Sequence, residues 1–297
     1  MRWPAALALS VVGLALLGAL WQPHDPGGVD LMNTFAPPSL AHPLGTDHLG
    51  RDLASRVLAG AGPSLIAIAI GLMATLGLGV AAGLLIVFAG RGVRFVVERA
   101  AEATLAVPTL IVALVLGALI GAGPMTAGLA LAATAWAPYA IATAGLTERL
   151  TAQPYWRATL ALGGPLHRAA AQHIVPGLGA PMRALAGADA GRAVILVATL
   201  GFLGLSADTG RPDWGAMIHE YRLHAFNTPL LLAAPIVAIA ALSLALHLLL
   251  DGRAGRREAI ASPRTGWRGT VGRKPLPPSV PAPVEVTAIQ QRVRPPG

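Results

Sequence analysis

Three stretches of this chain contain no Asp, Glu, Lys or Arg: Val57 to Gly90, Ala103 to Thr147, and Leu223 to Leu250. A helix that crosses roughly 30 Å of hydrocarbon needs about 20 mostly apolar residues. Each run is long enough to do so, and the middle one is long enough to do so twice. Gly121-Ala122-Gly123-Pro124 interrupts that middle run. Gly and Pro mark turns, so a tight helical hairpin is expected there. Only 12% of the residues are charged and 54% are hydrophobic, with a mean hydropathy of +0.61; soluble domains carry about 25% charged residues. The expectation is an all-α membrane protein with about six transmembrane helices.

The spans fall at about Trp3 to Trp21, Ser64 to Gly90, Leu105 to Ile120, Thr126 to Leu146, Leu185 to Leu205, and Pro229 to Leu250. The first has Arg2 ahead of an apolar core, like a signal peptide. Its core is long, and Leu20-Trp21-Gln22 is a poor small-residue cleavage site, so residues 1–21 are expected to stay as a helix. Residues 22–62 form an external loop with an amphipathic stretch, and 147–183 a long loop on the opposite side. Residues 206–228 form a second external loop, and 63–261 hold the rest of the membrane core. The segment 262–297 is rich in Pro and Arg without apolar periodicity and is expected to be a disordered tail.

Lys/Arg placement sets orientation, because positive charge stays in the cytoplasm. With an even number of spans both ends share one side. That side holds Arg2, Arg91, Arg94, Arg99, Arg149, Arg157, Arg168, Arg183, Arg253, Arg256 and Arg257, against Arg51, Arg56, Arg211 and Arg222 on the other. Both termini are therefore expected in the cytoplasm of a cell-membrane protein. The net charge of +8 fits basic loops against anionic lipid. No basic stripe with interleaved aromatics suggests nucleic acid.

The chain has no Cys, which excludes disulfides, thiolate zinc sites and thiol nucleophiles. It has no Gly-x-x-x-x-Gly-Lys-Ser/Thr phosphate loop and no His-Glu-x-x-His, so it is not expected to hold ATP itself or to act as a zinc protease. Ser64 and Ser206 lack a nearby His with an Asp. Catalytic, cofactor and metal sites are expected to be absent.

The polar segments between the spans carry the functional signal. In the 147–183 loop, helix formers fill most of Arg157 to Leu162. Gly163-Gly164 ends that helix, and Pro165 suits the first position of a second short helix. The product is a bent knob. From spacing alone it fits a groove on a soluble partner or an interfacial loop on lipid equally well.

This loop resembles the EAA loop of permease subunits in binding-protein-dependent ABC importers. Ala158, Gly163 and Pro176 match that pattern, with Pro176 thirteen residues after the Gly. Arg157 replaces its Glu, Thr159 its second Ala, His173 its Ile and Val175 its Leu. His42-Pro43-Leu44-Gly45-Thr46-Asp47-His48-Leu49-Gly50-Arg51-Asp52 is similar to the opening signature of the dipeptide, oligopeptide and nickel permease family, in particular its second permease subunit. Thr199 to Leu205 resembles the family's Leu-Ser-Phe-Leu-Gly-Leu-Gly, with Gly201 in place of Ser. Asp213-Trp214-Gly215-Ala216-Met217 resembles its Ser-Trp-Gly-Ala-Met. Val107-Pro108 and Trp136-Ala137-Pro138-Tyr139 sit where the family has Phe-Pro and Trp-Pro-x-Tyr. The resemblance runs from about His42 to Pro263.

The resemblance implies a type I ABC importer permease that moves peptides or a related small solute such as nickel. Its implied partners are a second permease subunit, two ATPase subunits carrying ATP and Mg, and an external substrate-binding protein, all acting at a lipid bilayer. Arg157, Ala158, Gly163, Gly164, Pro165 and Pro176 would form the ATPase-coupling loop. His42, Pro43, Gly45, Asp47, Gly50, Arg51 and Asp52 form the external signature. Read physically, the signature is a turn, with Asp47 or Asp52 capping the following helix, rather than a metal site built on His42, Asp47, His48 and Asp52. Trp136, Tyr139 and Asp189 either line a path or pack. Asp189 and Arg192 are three apart and can pair on one helix face. Three alternatives stay open: a secondary transporter or channel without an ATPase, a membrane-bound hydrolase, and a poorly coupled permease in which Arg157 has cost the loop its acid.

Overall fold

The computed structural model describes residues 3–205 and 211–251. The Pro/Arg-rich segment 262–297, residues 206–210 of the second external loop, and Arg2, Arg253, Arg256 and Arg257 lie outside the described residues. Every regular element among the described residues is helical: α1 Trp3–Leu20, α2 Leu53–Ala59, α3 Ala61–Phe88, α4 Arg91–Leu105, α5 Thr109–Ile120, α6 Pro124–Thr151, α7 Pro154–Ala161, α8 Leu166–Ala169, α9 Val175–Phe202, α10 Trp214–Tyr221 and α11 Pro229–Asp251.

Four of these stretches are long and apolar enough to cross a membrane: Leu53–Phe88, Pro124–Thr151, Leu166–Phe202 and Pro229–Leu250. The other two expected spans are shorter. Apolar α1 has 18 residues, about 27 Å at 1.5 Å per residue. The expected third span does not run from Leu105 to Ile120. Its helix α5 begins at Thr109 and has 12 residues, about 18 Å. Pro108 is the cause. The residue before a proline is pushed out of the α region, and Pro108 itself is extended at the N-cap of α5. The chain bends by 90° there, with α4 on the far side of the break; the two helices together would count as a fifth span. Helix α4 fills the stretch between the second and third expected spans. Its polar residues pair as Arg94–Glu98 and Arg99–Glu102, while Phe95 and Val96 are exposed.

The expected loop 147–183 is also largely helix. The expected second short helix is not separate: α8 passes through a single π turn, Ala170–Ile174, into α9. The continuous stretch Leu166–Phe202 has 37 residues, about 55 Å of helix. The π turn, in which the Val175 N–H donates to the Ala170 carbonyl, shifts the hydrogen-bond register just ahead of Pro176, which has no N–H to give.

Small residues bring α3 and α6 together. Ala67, Gly71, Thr75, Gly79 and Gly83, four apart on α3, are all buried. A Cβ at Gly79 would lie 2.4 Å from Tyr139 Cβ and 2.8 Å from the Trp136 carbonyl oxygen. A Cβ at Gly83 would lie 2.6 Å from the Ala140 carbonyl oxygen. In lipid, where apolar burial does not drive helices together, such close backbone approach gains dispersion contacts instead. Because α3 starts beside the external signature and ends at Phe88, whose ring is 6.3 Å from that of Trp156 in α7, the signature and the bent loop sit at opposite ends of the helical core.

Candidate functional site

At one end, the signature folds into a buried polar latch. His42 to Gly45 make a tight turn, with the Gly45 N–H donating to the His42 carbonyl at 2.9 Å and Pro43 at its corner. Gly45 and Gly50 have φ of 75° and 73°, values that favour glycine. Asp47 is fully buried, and its two carboxylate oxygens divide the work. Oδ1 accepts the N–H groups of Leu49 at 2.9 Å and Arg51 at 3.0 Å. Oδ2 accepts Arg51 Nε at 2.7 Å and Tyr221 Oη at 2.9 Å. Burial alone would push this carboxyl up, yet the two N–H groups and the Arg51 guanidinium outweigh it and hold it below the usual carboxylate range. Burial pushes the Tyr221 hydroxyl up, and the neighbouring Asp47 adds to that shift while Arg56 opposes it.

Glu220 closes the latch from α10. It accepts Arg51 Nη2 at 2.7 Å and Arg56 Nη2 at 3.2 Å, and His48 Nε2 lies 3.4 Å away. Two buried guanidinium groups thus face two carboxylates, and a buried charge is tolerable only when paired in this way. Neither Glu220 nor Tyr221 was singled out from sequence. Residues 47–56 hold two Asp and two Arg in balance, so no local charge surplus pointed to a distant carboxylate. The helix cap falls to Asp52, whose Oδ2 accepts the Ser55 N–H at 2.8 Å and Ser55 Oγ at 2.6 Å. On its Oδ1 side Asp52 meets His42 Nδ1 at 3.0 Å.

The Asp213-Trp214-Gly215 segment locks α10 onto the membrane helices. Asp213 Oδ1 accepts the N–H groups of Gly215 and Ala216 at 2.7 and 3.3 Å. Burial pushes the Asp213 carboxyl up while those N–H groups oppose the shift. Trp214 Nε1 donates to the Val57 carbonyl at 2.7 Å. A Cβ on residue 201 would lie 2.4 Å from Asp213 Oδ1. Gly201 and Asp213 both stand where the resembled pattern has Ser, and they fit each other: the longer cap needs the missing side chain.

At the other end, the bent loop is built as a closed C-cap. The Gly163 N–H donates to the Leu160 carbonyl at 3.0 Å, and the Gly164 N–H to the Thr159 carbonyl at 3.1 Å. Gly163 has φ 82°. That is a Schellman arrangement, and it consumes the orphan carbonyls of α7. Pro165 sits at the N-cap of α8 rather than at its first position. Trp156 is buried with Tyr139, Ile174, Leu178 and Met182 and anchors α7 to the core. Thr159 Oγ1 donates to the Tyr155 carbonyl at 2.9 Å and lies 3.1 Å from His173 Nε2, so the imidazole is the donor in that second pair. Thr159 and His173 are two of the four departures from the EAA pattern, and they contact each other across the bend. Arg157 and Ala158 are exposed, as is Pro176. Leu160, Leu162 and Leu166 also face outward.

Between the two ends, Tyr139 is fully buried in the cluster with Trp156, and Trp136 is half-buried against Ile86, Ala140 and Ala144. Both pack between helices. Asp189 is buried, neighbours the Tyr139 hydroxyl, and accepts Arg192 Nη1 at 3.0 Å. The Arg192 side chain is itself 69% exposed. It borders a cleft of about 430 Å³ that α5, α6 and α9 line with Thr109, Thr134 and Thr199.

The fold is that of a polytopic helical membrane protein, with a polar latch at one end and a capped, bent knob at the other. Residues 74–254 match the family of binding-protein-dependent transport system inner membrane components, and the chain belongs to that family. It is 31% identical over 254 residues to the nickel transport system permease protein NikC of Escherichia coli, covering 84% of this chain and 92% of that one. It is 31% identical over 250 residues to the probable D,D-dipeptide transport system permease protein DdpC of the same species, covering 82% and 83%. It is 29% identical over 251 residues to the metal-staphylopine import system permease protein CntC of Staphylococcus aureus, covering 83% and 87%.

Proposed function

We propose that this chain is one transmembrane half of an ABC importer for a small peptide or a metal complex, and that the bent loop from Arg157 to Pro176 couples it to an ATP-hydrolysing subunit. The chain pairs with a second permease subunit. ATP and Mg stay on two partner ATPases, and an external binding protein delivers substrate to the side that carries residues 22–62 and 211–228. Both termini lie in the cytoplasm, a placement that the Arg excess on that side supports.

The observation that carries this reading is the construction of the knob. Its exposed residues Arg157, Leu160 and Leu162 stand on a helix closed by a full C-cap and anchored by buried Trp156, and exposed Leu166 opens the next helix just beyond the bend. Beyond Pro165 the backbone continues as one helical rod to Phe202. A push on the knob therefore moves a rod that spans the membrane, instead of dissipating in a flexible loop. Apolar side chains held outward on a rigid base are what a groove on a soluble partner takes up. The cleft bordered by Arg192 and the threonines is the proposed wall of the substrate path.

Gly163→Val tests the coupling. A β-branched residue in the left-handed region costs about 1–2 kcal/mol, and residue 163 has open space around it, so the strain acts on the bend and not on the core. In proteoliposomes with the ATPase subunits and binding protein, substrate-stimulated ATP hydrolysis and uptake are expected to separate. Unchanged stimulation and uptake would rule out the loop as the coupling element.

A further inference from the structure

We propose that His24, His42 and Asp52 bind one divalent first-row transition cation on the latch side of the molecule. These residues come from three separate segments: the irregular stretch leaving α1, the signature turn, and the N-cap of α2. Their potential ligand atoms all lie within 4.8 Å of one another. His42 Nδ1 is 3.0 Å from Asp52 Oδ1, and His24 Nδ1 is 3.7 Å from Asp52 Oδ2. Ligands bound at about 2.1 Å to one metal ion stand about 3.0 Å apart at right angles and about 3.4 Å apart in a tetrahedron. The two His–Asp pairs, one on each carboxylate oxygen, thus stand near coordination spacing, and the wider separation within the set, up to 4.8 Å, has to close by rotation of an imidazole. The two imidazole rings lie side by side, with centroids 4.8 Å apart.

The supporting contacts are those a metal site needs. Asp52 is buried and cannot swing away, because Ser55 N–H and Oγ hold its Oδ2. The backbone N–H of His24 donates to the same Ser55 Oγ at 3.0 Å, which fixes the segment carrying that imidazole. One serine therefore orients two of the three ligands, the kind of outer contact that tunes metal affinity. Two imidazoles and one carboxylate select zinc, copper, iron or nickel and disfavour the all-oxygen ions calcium and magnesium. With three protein ligands the remaining positions stay open to water or to a donor on an arriving molecule. The site is independent of the ATPase coupling proposed above, since it uses only residues 24–55.

The test uses the full chain, purified through a tag that contains no histidine, stripped with chelator and placed in lipid nanodiscs. Calorimetric titration with nickel and zinc should show one ion per chain that His24→Ala weakens at least tenfold. Calcium and magnesium should not compete. Copper(II) loaded at one equivalent should give an electron paramagnetic resonance spectrum with two coupled imidazole nitrogens in the wild type and one in His24→Ala. His24 is substantially exposed, so that variant should keep the helical circular dichroism of the stripped wild type; His42→Gln serves as the second ligand variant and should also drop one nitrogen. Equal affinity and an unchanged nitrogen count in both variants would overturn the proposal and place any bound metal on the remaining histidines.

Discussion

Placing serine at position 201 while Asp213 remains should destabilise the fold, and shortening Asp213 to serine in the same chain should repair it. A Cβ at 201 would sit 2.4 Å from Asp213 Oδ1 and 2.9 Å from both Asp213 Cγ and the Ala216 nitrogen. Ordinary contact begins near 3.4 Å, so something must move by about 1 Å. The mobile partner is the Asp213 carboxylate, and moving it breaks the cap bonds to Gly215 and Ala216. Losing the cap costs about 1 kcal/mol, and overpacking adds about 1–3 kcal/mol. Against this, serine is the better helix former by about 0.5 kcal/mol. The clash wins, leaving Gly201→Ser about 2–3 kcal/mol less stable. At about 2–4 °C per kcal/mol for a chain of this size, the apparent melting temperature in detergent should fall by roughly 5–10 °C. Asp213→Ser keeps a capping hydroxyl and should lose about 1 kcal/mol or less. The double variant should lie near Asp213→Ser alone, giving a coupling of about 2 kcal/mol. Tryptophan fluorescence on thermal unfolding measures all four corners, because Trp214 sits beside the substitutions. A Gly201→Ser chain melting within 2 °C of wild type, or a double variant as low as the sum of the singles, would refute the reasoning.

Other outcomes follow from the same contacts. Asp47→Asn leaves Arg51 and Arg56 with Glu220 as their remaining carboxylate; removing one partner of a buried pair costs about 3–5 kcal/mol, and hydrogen exchange should rise across residues 35–56 before the membrane helices respond. The Asp47 carboxyl is held below its ordinary value, so its contribution is complete above the unfolded value near 4 and is lost as pH falls through the lower folded value; acid titration of protease sensitivity should open the latch only below about pH 4. Gly79→Leu should force α3 from α6, because a side chain there meets the Tyr139 Cβ and Trp136 backbone, and folded yield after membrane extraction should collapse. Thr159→Ala removes the contact to His173 across the bend and should loosen α7 by about 1 kcal/mol, read as faster proteolysis near Leu162 with the core melt unchanged.

The uncharged runs made three of the four long crossings legible, because twenty uncharged residues have few other destinations; the fourth, Leu166–Phe202, carries Asp189 and Arg192 and shows only as a shorter apolar stretch. Pro108 is visible too, but a proline inside an apolar run reads as a tolerated kink, whereas here it separates two helices by 90°. Helix α4 was hidden because its charged residues, spaced for pairing as Arg94–Glu98 and Arg99–Glu102, resemble a polar loop. The Schellman cap at Gly163-Gly164 was readable from local chemistry, since one positive φ and two local N–H bonds specify it. The long-range partners were not. Glu220 and His24 are distant in sequence from the residues they meet, and no local periodicity encodes those meetings. Gly201 and Asp213, like Thr159 and His173, registered only as separate departures from a pattern; their contact in space is what makes each pair consistent.

The central claim is that the knob at Leu162 docks on an ATP-hydrolysing subunit. Leu162 is 89% exposed and points away from the core. A photoreactive phenylalanine analogue placed at Leu162 in the full chain, in intact cells, should crosslink on irradiation to a subunit that mass spectrometry identifies by its Gly-x-x-x-x-Gly-Lys-Ser/Thr phosphate loop. The same probe at Leu40, on the latch side, should not. Crosslinking of residue 162 to lipid alone, or to the ATPase equally from residue 40, would contradict the account.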